Sequence, residues 1–339
     1  MELLLHGFGT VLQPQIFFIL VAGTLGGIII GSLPGLTATM GVALLTPLTF
    51  SLPPATGLVM LCGIYCGAIY GGSISAILIR TPGTPAAAAT VFDGNELAKK
   101  GLAGKALGMS AIASCAGGVF SALCLTFIAP ELARVALSFS SPEYFAMGLL
   151  GLSIVASISG DYVVRGLISA CIGLLVGLIG LDNLNGYPRY TFGMVDLLNG
   201  VSFIPVLIGL FAVSEALRTT ESMLKTAHVD FKLSGVLPSF SELRGCAKTI
   251  LKSSAIGTMI GIIPATGGDI AAFLAYGEAK RSSKNGDKFG TGELEGVAAP
   301  EAANNGVTGG ALIPLMTLGI PGDAVTAIVD AERRARTAR

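Results

Sequence analysis

The chain has 339 residues, 52% of them hydrophobic and only 12% charged, with a mean hydropathy of +0.75. Soluble globular chains carry about a quarter charged residues, so an ordinary cytosolic enzyme is excluded. The 21 basic and 21 acidic residues cancel and there are two histidines, leaving no basic field for nucleic acid and no acidic tail. The 47 glycines and the lack of tryptophan favour close-packed helices over a β-barrel with aromatic girdles.

In chain order, residues 1–15 contain no Lys or Arg and no small-residue cleavage site, so they do not read as a signal peptide. A crossing of the bilayer needs about 20 mostly apolar residues. Apolar runs follow at 16–33, 39–50, 56–79, 106–129, 143–158, 163–181, 200–217, 246–263, 266–276 and 296–329. The expected class is an all-α polytopic membrane protein of about ten segments. The runs 56–79 and 296–329 are longer than one crossing, and 39–50 and 266–276 are too short. If each run crosses once, fourteen Lys and Arg fall on one side and only Arg134 and Arg189 on the other. The positive-inside rule then makes the first side cytoplasmic and the N-terminus periplasmic. Arg333, Arg334, Arg336 and Arg339 violate that pattern. A hairpin at the last Pro-Gly break would remove the violation by returning the segment to the cytoplasm.

An internal repeat accounts for the odd run lengths. GSLPGLTAT (31–39) matches GIIPATGGD (261–269): each ends a run at Pro, turns through small residues and begins a short run. SAILIRTPGTPA (75–86) matches PLMTLGIPGDAV (314–325) when Pro82 and Gly83 are aligned on Pro321 and Gly322. Seven runs separate the starts of the two copies. An odd number inverts one copy relative to the other. Inverted repeats with Gly/Pro-interrupted segments at matched positions point to a secondary transporter and to its binding site. The alternative is Pro kinks in an ordinary bundle, where neighbouring helices satisfy the freed backbone groups.

The motifs GSLPGLTATMGVALLTPLT (31–49), TPGTPAA (81–87) and EGVAAPEAANNG (295–306) resemble those of the large membrane subunit, TctA, of the tripartite tricarboxylate transporters. The resemblance implies a permease of the bacterial inner membrane, driven by an ion gradient. It also implies partners: a periplasmic solute-binding protein, a small membrane subunit and a carboxylate substrate such as citrate or another tricarboxylate. Members of that family are usually longer. Only 17 residues follow Gly322, whereas copy one continues through four more runs after Gly83. The expected organisation is therefore a first repeat with its following helices (1–217), a cytoplasmic loop (218–252), the start of a second repeat (253–329) and an atypical polar tail (330–339) marking truncation. The competing functional reading is a non-transporting membrane scaffold or truncated product of the same family.

A carboxylate inside a membrane must be met by donors, and a broken helix supplies free N–H groups and a positive dipole end. The expected substrate-binding residues are Pro34, Gly35, Thr37, Thr39, Ser73, Ser75, Arg80, Pro82, Gly83, Thr84, Pro321 and Gly322. The hydroxyls can equally bond their own helix backbone. Arg80 is either a bidentate carboxylate fork or an interfacial anchor. Acidic and amide residues in apolar surroundings, Asp269, Glu301, Asn304, Asn305 and Asp323, are candidates for a coupling cation or proton. For Glu301, Asn304 and Asn305 the alternative is interhelical hydrogen bonding, and for Asp323 a helix cap. The expected coupling ion is Na+ or H+, with no other cofactor. The six cysteines lack a CxxC pair and read as small buried side chains. No HExxH, Walker A or GxGxxG motif is present, so neither an enzyme nor the ATPase of an import system is expected.

Overall fold

The computed structural model describes residues 2–136, 163–182, 185–201 and 237–337 apart from 265, with isolated positions between 138 and 149 and at 206 and 235. The predicted runs at 143–158 and 200–217, and most of the predicted loop at 218–252, lie outside the described residues. Of the orientation argument, Arg218, Lys225, Lys232 and Arg339 lie outside as well. Among the described residues the chain is helical apart from one short antiparallel pairing of Gly180–Leu181 with Pro188–Arg189.

The first unit comprises α1 (Glu2–Val11), α2 (Pro14–Ser32), α3 (Ala38–Thr49), α4 (Pro54–Ile79) and α5 (Ala88–Lys99). Then come α6 (Ala103–Ala136) and α7 (Val163–Gly177). The second unit comprises α8 (Phe240–Ile262), α9 (Gly267–Ser282), α10 (Leu294–Leu318) and α11 (Ala324–Thr337). Helices α2, α4 and most of α6 are long and apolar enough to cross a membrane. Together with the family described below, they make this a membrane protein.

Local chemistry sets the ends of these helices. Helix α2 stops at Ser32 because Pro34 lacks an N–H and pushes the residue before it out of the helical region. The chain turns through Gly35, at φ 90°, and Thr37 caps α3 by accepting a hydrogen bond from Met40 N at 3.2 Å. Pro264 ends α8 in the same way, and Gly267, at φ 73°, opens α9. The two longest predicted runs are interrupted. Helix α4 ends in a left-handed residue, Arg80 at φ 58°, and α10 in Gly319 at φ 69°. After each end the Pro-Gly pair brings the chain back along its own helix. Gly83 N donates to Gly72 O at 3.1 Å, while Gly322 packs on the backbone of Ala311. New helices then start, through the 3-10 turn Pro85–Ala87 into α5, and at Ala324 for α11. The run at 296–329 is thus two helices, because Gly319, Pro321 and Gly322 supply the left-handed turn and remove a donor.

Contacts give the helix directions. Glycines 23, 27 and 31 of α2 lie over Met60, Ile64 and Ala68 of α4, so α2 and α4 run parallel. Gly257 and Gly261 of α8 likewise lie over Ala303 and Val307 of α10. A Cβ on Gly31 would stand 2.0 Å from Ala68 O, and one on Gly257 2.0 Å from Ala303 O, so only glycine admits these contacts. Lipid tails supply no hydrophobic drive between helices, and close backbone approach is what remains to hold them together. Helices α4 and α10 run antiparallel, since Ile77 clusters with Val297 while Asn305 Nδ2 donates to Cys66 O at 3.3 Å. Every residue from Gly296 to Ala311 is buried, which makes α10 the central helix.

Two apolar cores lie at opposite ends of the bundle. One joins α3, α4 and α11 around Leu61, Ile64 and Ile328, and the other joins α5, α6, α8 and α10 around Leu97, Met109 and Val297. The segment expected to be a polar tail from 330 continues the helix that enters the first core through Val325, Ile328 and Val329. Helix α11 runs on to Thr337, with Ala331 and Glu332 buried. Arg333 and Arg334 bond Asp330 one turn back, and Arg336 bonds Glu332 and donates to the carbonyls of Thr49 and Leu52 at the end of α3. A buried acid matched by an arginine at i+4 reads as polar in sequence although it packs inside. Helix α11 thus ends beside the end of α3 and the first turn of α4. Two other boundaries move. Helix α8 begins at Phe240, inside the predicted loop, because Ser239 and Glu242 form a capping box. Helix α7 ends at Gly177, short of the predicted 181.

Candidate functional site: a cavity where helix N-termini meet

Between the two cores lies a cavity of about 280 Å3. The first unit lines it with Thr37, Ala38, Thr39, Tyr65, Ile69, Thr84, Pro85 and Ala86, and the second with Gly267, Gly268, Asp269, Asn304, Asp323, Ala324 and Val325. Apart from Tyr65 and Ile69 of α4 and Asn304 of α10, these residues belong to the starts of α3, of the turn leading into α5, of α9 and of α11, so four helical starts face one space. Each N-terminus leaves N–H groups without intrahelical partners and carries roughly half a positive charge. The positions also correspond between units. Thr37, Ala38 and Thr39 match Gly267, Gly268 and Asp269; Tyr65 matches Asn304; Thr84, Pro85 and Ala86 match Asp323, Ala324 and Val325.

Polar side chains in the cavity differ in how they are satisfied. Asn304 is fully buried, and neither its Oδ1 nor its Nδ2 has a partner. An unsatisfied buried amide costs about 1–3 kcal/mol, so its place on the wall is a standing preference for a ligand. Thr84 Oγ1 is likewise buried without a partner. Asp323 caps α11 reciprocally: its Oδ1 accepts from Thr326 N at 2.8 Å, and Thr326 Oγ1 accepts from Asp323 N at 2.9 Å. Its other oxygen accepts from Tyr65 Oη. Asp269, on the first turn of α9, is exposed at the cavity. No Lys or Arg is among the lining residues.

The predicted residues fall into three groups. Thr37, Thr39, Thr84, Asp269, Asn304 and Asp323 line the cavity. Pro34, Gly35, Pro82, Gly83, Pro321 and Gly322 form the turns that aim the helices at it, a shaping role in place of the expected contact. Arg80, Ser73, Ser75, Glu301 and Asn305 stand elsewhere. Arg80 is exposed at the end of α4, where its left-handed backbone turns the chain, and it does not reach the cavity. Ser75 packs against Gly83. Asn305 is turned toward Cys66. Glu301 and Ser73 belong to a separate buried cluster with Thr90, Ser110 and Ser114. Glu301 and Asn304 lie three residues apart, yet α10 is enclosed on all sides and presents them to different neighbours. Tyr65 and Gly268 were not foreseen. A tyrosine inside a glycine-rich run was the available signal for the first, while Gly268 is small because the Asn304 amide stands 2.3 Å from where its Cβ would be.

A larger cavity of about 480 Å3 opens at the far end of the second unit, between the starts of α8 and α10 and the end of α9. Charges of both signs line it, including Lys248, Lys252, Glu278 and Glu295. Hydrogen bonds from Lys105 and then Ser239 hold the Glu242 carboxyl down to about 2, and a bond from Lys252 lowers that of Glu278. These are solvated ion pairs at helix ends, as is Glu96–Lys99 at the end of α5.

Three long apolar helices, with helix breaks gathered at one cavity, define an α-helical membrane protein. Residues 17–332 match the Tripartite tricarboxylate transporter TctA family, and the chain belongs to it. An uncharacterized 52.8 kDa protein in the TAR-I ttuC' 3' region of Agrobacterium vitis is 39% identical over 323 residues, covering 95% of this chain and 64% of that protein. The chain therefore spans a little under two thirds of that relative. An uncharacterized protein in the TAR-II ttuC' 3' region of the same organism is 45% identical over 73 residues, 22% of this chain and 30% of its own length. No solved structure matches.

Proposed function

We propose that the chain forms the permease subunit of an ion-gradient-driven carboxylate uptake system of the bacterial inner membrane, with its N-terminus in the periplasm. In this reading a tricarboxylate such as citrate, or a related carboxylate, arrives from a periplasmic solute-binding protein, and a small membrane subunit completes the complex. The observation that carries it is the meeting of four helix starts, Asn304 and Thr84 at one cavity. Such a set presents N–H and amide donors to an anion without a fixed cation that would hold the anion too tightly to release. Asp269 and Asp323 repel a bare anion, which favours entry of substrate together with a cation or proton. The antiparallel course of α4 and α10, whose sequences correspond, supports two units of inverted topology and alternating access around a fixed site.

Uptake of labelled citrate and of smaller dicarboxylates into proteoliposomes, with and without a Na+ or proton gradient, tests this reading. Asn304→Ala is expected to weaken substrate binding about tenfold, the value of one lost charge-assisted hydrogen bond. Gly83→Val is expected to abolish uptake, because a Cβ at Gly83 would stand 2.0 Å from Gly31 O. Carboxylate binding by the native protein that neither change alters would remove the cavity from the mechanism.

A further inference from the structure

Glu301 is the ionisable residue at the middle of the central helix, and it does not line the cavity. It is fully buried, and among the described residues no Lys, Arg or His bonds to it. Its surroundings are hydroxyls from three helices. Thr90 Oγ1 of α5 donates to Oε1 at 2.5 Å, and Ser114 and Ser110 of α6 donate to Oε2 at 3.1 and 3.3 Å. Ser110 is in turn 2.6 Å from Ser73 Oγ of α4. A buried carboxylate without a counter-charge is among the costliest groups a membrane protein can carry, and it persists where it takes up a neutralising ion.

Two chemistries would neutralise it: a small cation held by the oxygens, or a proton. A bound cation needs its ligands spread around a space of its own. Here the oxygens are in hydrogen-bond contact with the carboxylate itself, so the cluster is already closed. Hydroxyls, by contrast, rotate and serve either as donors or as acceptors. They satisfy the carboxylate by donating, and they satisfy the acid when Thr90 Oγ1 turns to accept the new O–H. We propose that Glu301 is a proton-carrying site, one turn of α10 behind the cavity. A proton from the aqueous phase bonds to a carboxylate oxygen, neutralises the side chain without moving a ligand, and is returned to water on the other side. Because α10 also carries Asn304, occupancy of Glu301 bears on the wall of the cavity. This last step rests on the permease reading, whereas the proton site itself does not.

Other titratable groups near the cluster are engaged or set apart. Tyr70 of α4 interacts electrostatically with Glu301. Asp93, one turn beyond Thr90 on α5, spends its carboxylate on the N–H groups of Gly290, Gly292 and Glu293 and on Tyr276 Oη. On α6 Lys105 bonds Glu242, and on α8 Lys252 bonds Glu278, both at the end of the bundle.

Infrared difference spectra of the purified protein during a pH titration, without substrate, test the site directly. A carboxylic-acid carbonyl band that titrates, is lost in Glu301→Gln and is indifferent to Na+ is expected. Thr90→Val, which removes a donor to the charged form, is expected to raise its midpoint by about one pH unit. No such band, or a band that responds to Na+ in place of H+, overturns the proposal. In proteoliposomes Glu301→Gln is expected to lose proton-driven accumulation at least tenfold while keeping substrate exchange across the membrane. If the native protein moves no carboxylate, the permease reading fails, and the infrared titration still decides Glu301.

Discussion

The unit formed by α2 to α5 and the unit formed by α8 to α11 share one backbone plan and differ in chemistry. Both pack a glycine-striped helix against a long one, return through a short helix that starts at the cavity, and break the long helix at a Pro-Gly pair. The side chains at matched positions then diverge: Thr39 against Asp269, Thr84 against Asp323, Tyr65 against Asn304. Backbone geometry thus fixes where the helix dipoles point, while the side chains put both carboxylates on one wall of the cavity. The first unit brings hydroxyl groups to the cavity and the second brings acids, and the two meet where Tyr65 Oη bonds Asp323.

The plan is broken most severely at the glycine contacts. Gly31→Val and Gly257→Val are each expected to destabilise the protein by about 3 kcal/mol, since the neighbouring backbone cannot yield as a side chain would. Thermal unfolding in detergent measures this, and a loss confined to one of the two variants would end the equivalence of the units. The entry points differ, which gives a smaller effect. Helix α2 starts at Pro14 with no side-chain cap, whereas α8 starts at the Ser239 and Glu242 capping box. Ser239→Ala is expected to cost about 1 kcal/mol. The Glu242 carboxyl is held down to about 2 from 4.5, so its contribution is complete above pH 4.5 and disappears as the pH falls through about 2. The stability difference between the native and Ser239→Ala proteins should therefore be larger at pH 6 than at pH 2, where part of the bond from Ser239 to the Glu242 carboxylate is already lost. The smallest effect concerns the helix ends. Arg80 holds the left-handed conformation that Gly319 holds in the second unit, at a steric cost that glycine avoids. Arg80→Gly is expected to stabilise by about 0.5 kcal/mol with carboxylate binding unchanged. A loss of binding would restore Arg80 to the site.

Much of this frame was legible because prolines and glycines act locally. Pro34, Pro82, Pro264 and Pro321 each lie in a short turn of small residues just past a helix end, so the breaks could be found by matching short motifs, whereas Pro47, Pro130, Pro300 and Pro314 stand inside helices. Asp323, expected as a cap, caps α11, whereas Thr84, expected in the same role, makes no cap bond, and the cap of α3 by Thr37 was not foreseen. The site was read less well where a side chain's role depends on its neighbour. Arg80 and Ser73 carry suitable groups but face away from the cavity. Glu301 and Asn304 look alike as buried polar residues of one helix, yet the first is enclosed by hydroxyls of α5 and α6 while the second meets empty space. The acidic and basic residues from Asp330 to Arg336 suggested a polar tail because the bonds of Glu332 and Arg336 to Thr49 and Leu52 join segments far apart in the sequence.

Composition and hydropathy by themselves determined that this chain lives in a bilayer, since 12% charged residues cannot clothe a water-soluble surface. Its prolines and glycines determined where the helices stop and that the stops come in matched pairs, because those residues alter the backbone directly. Only the tertiary structure decided that four of the resulting starts face one cavity, that Asn304 lines it and that Glu301 does not. Those outcomes depend on how closely the glycine-striped helices approach and on the rotation of α10 among its neighbours, and both are set by packing between segments far apart in the chain.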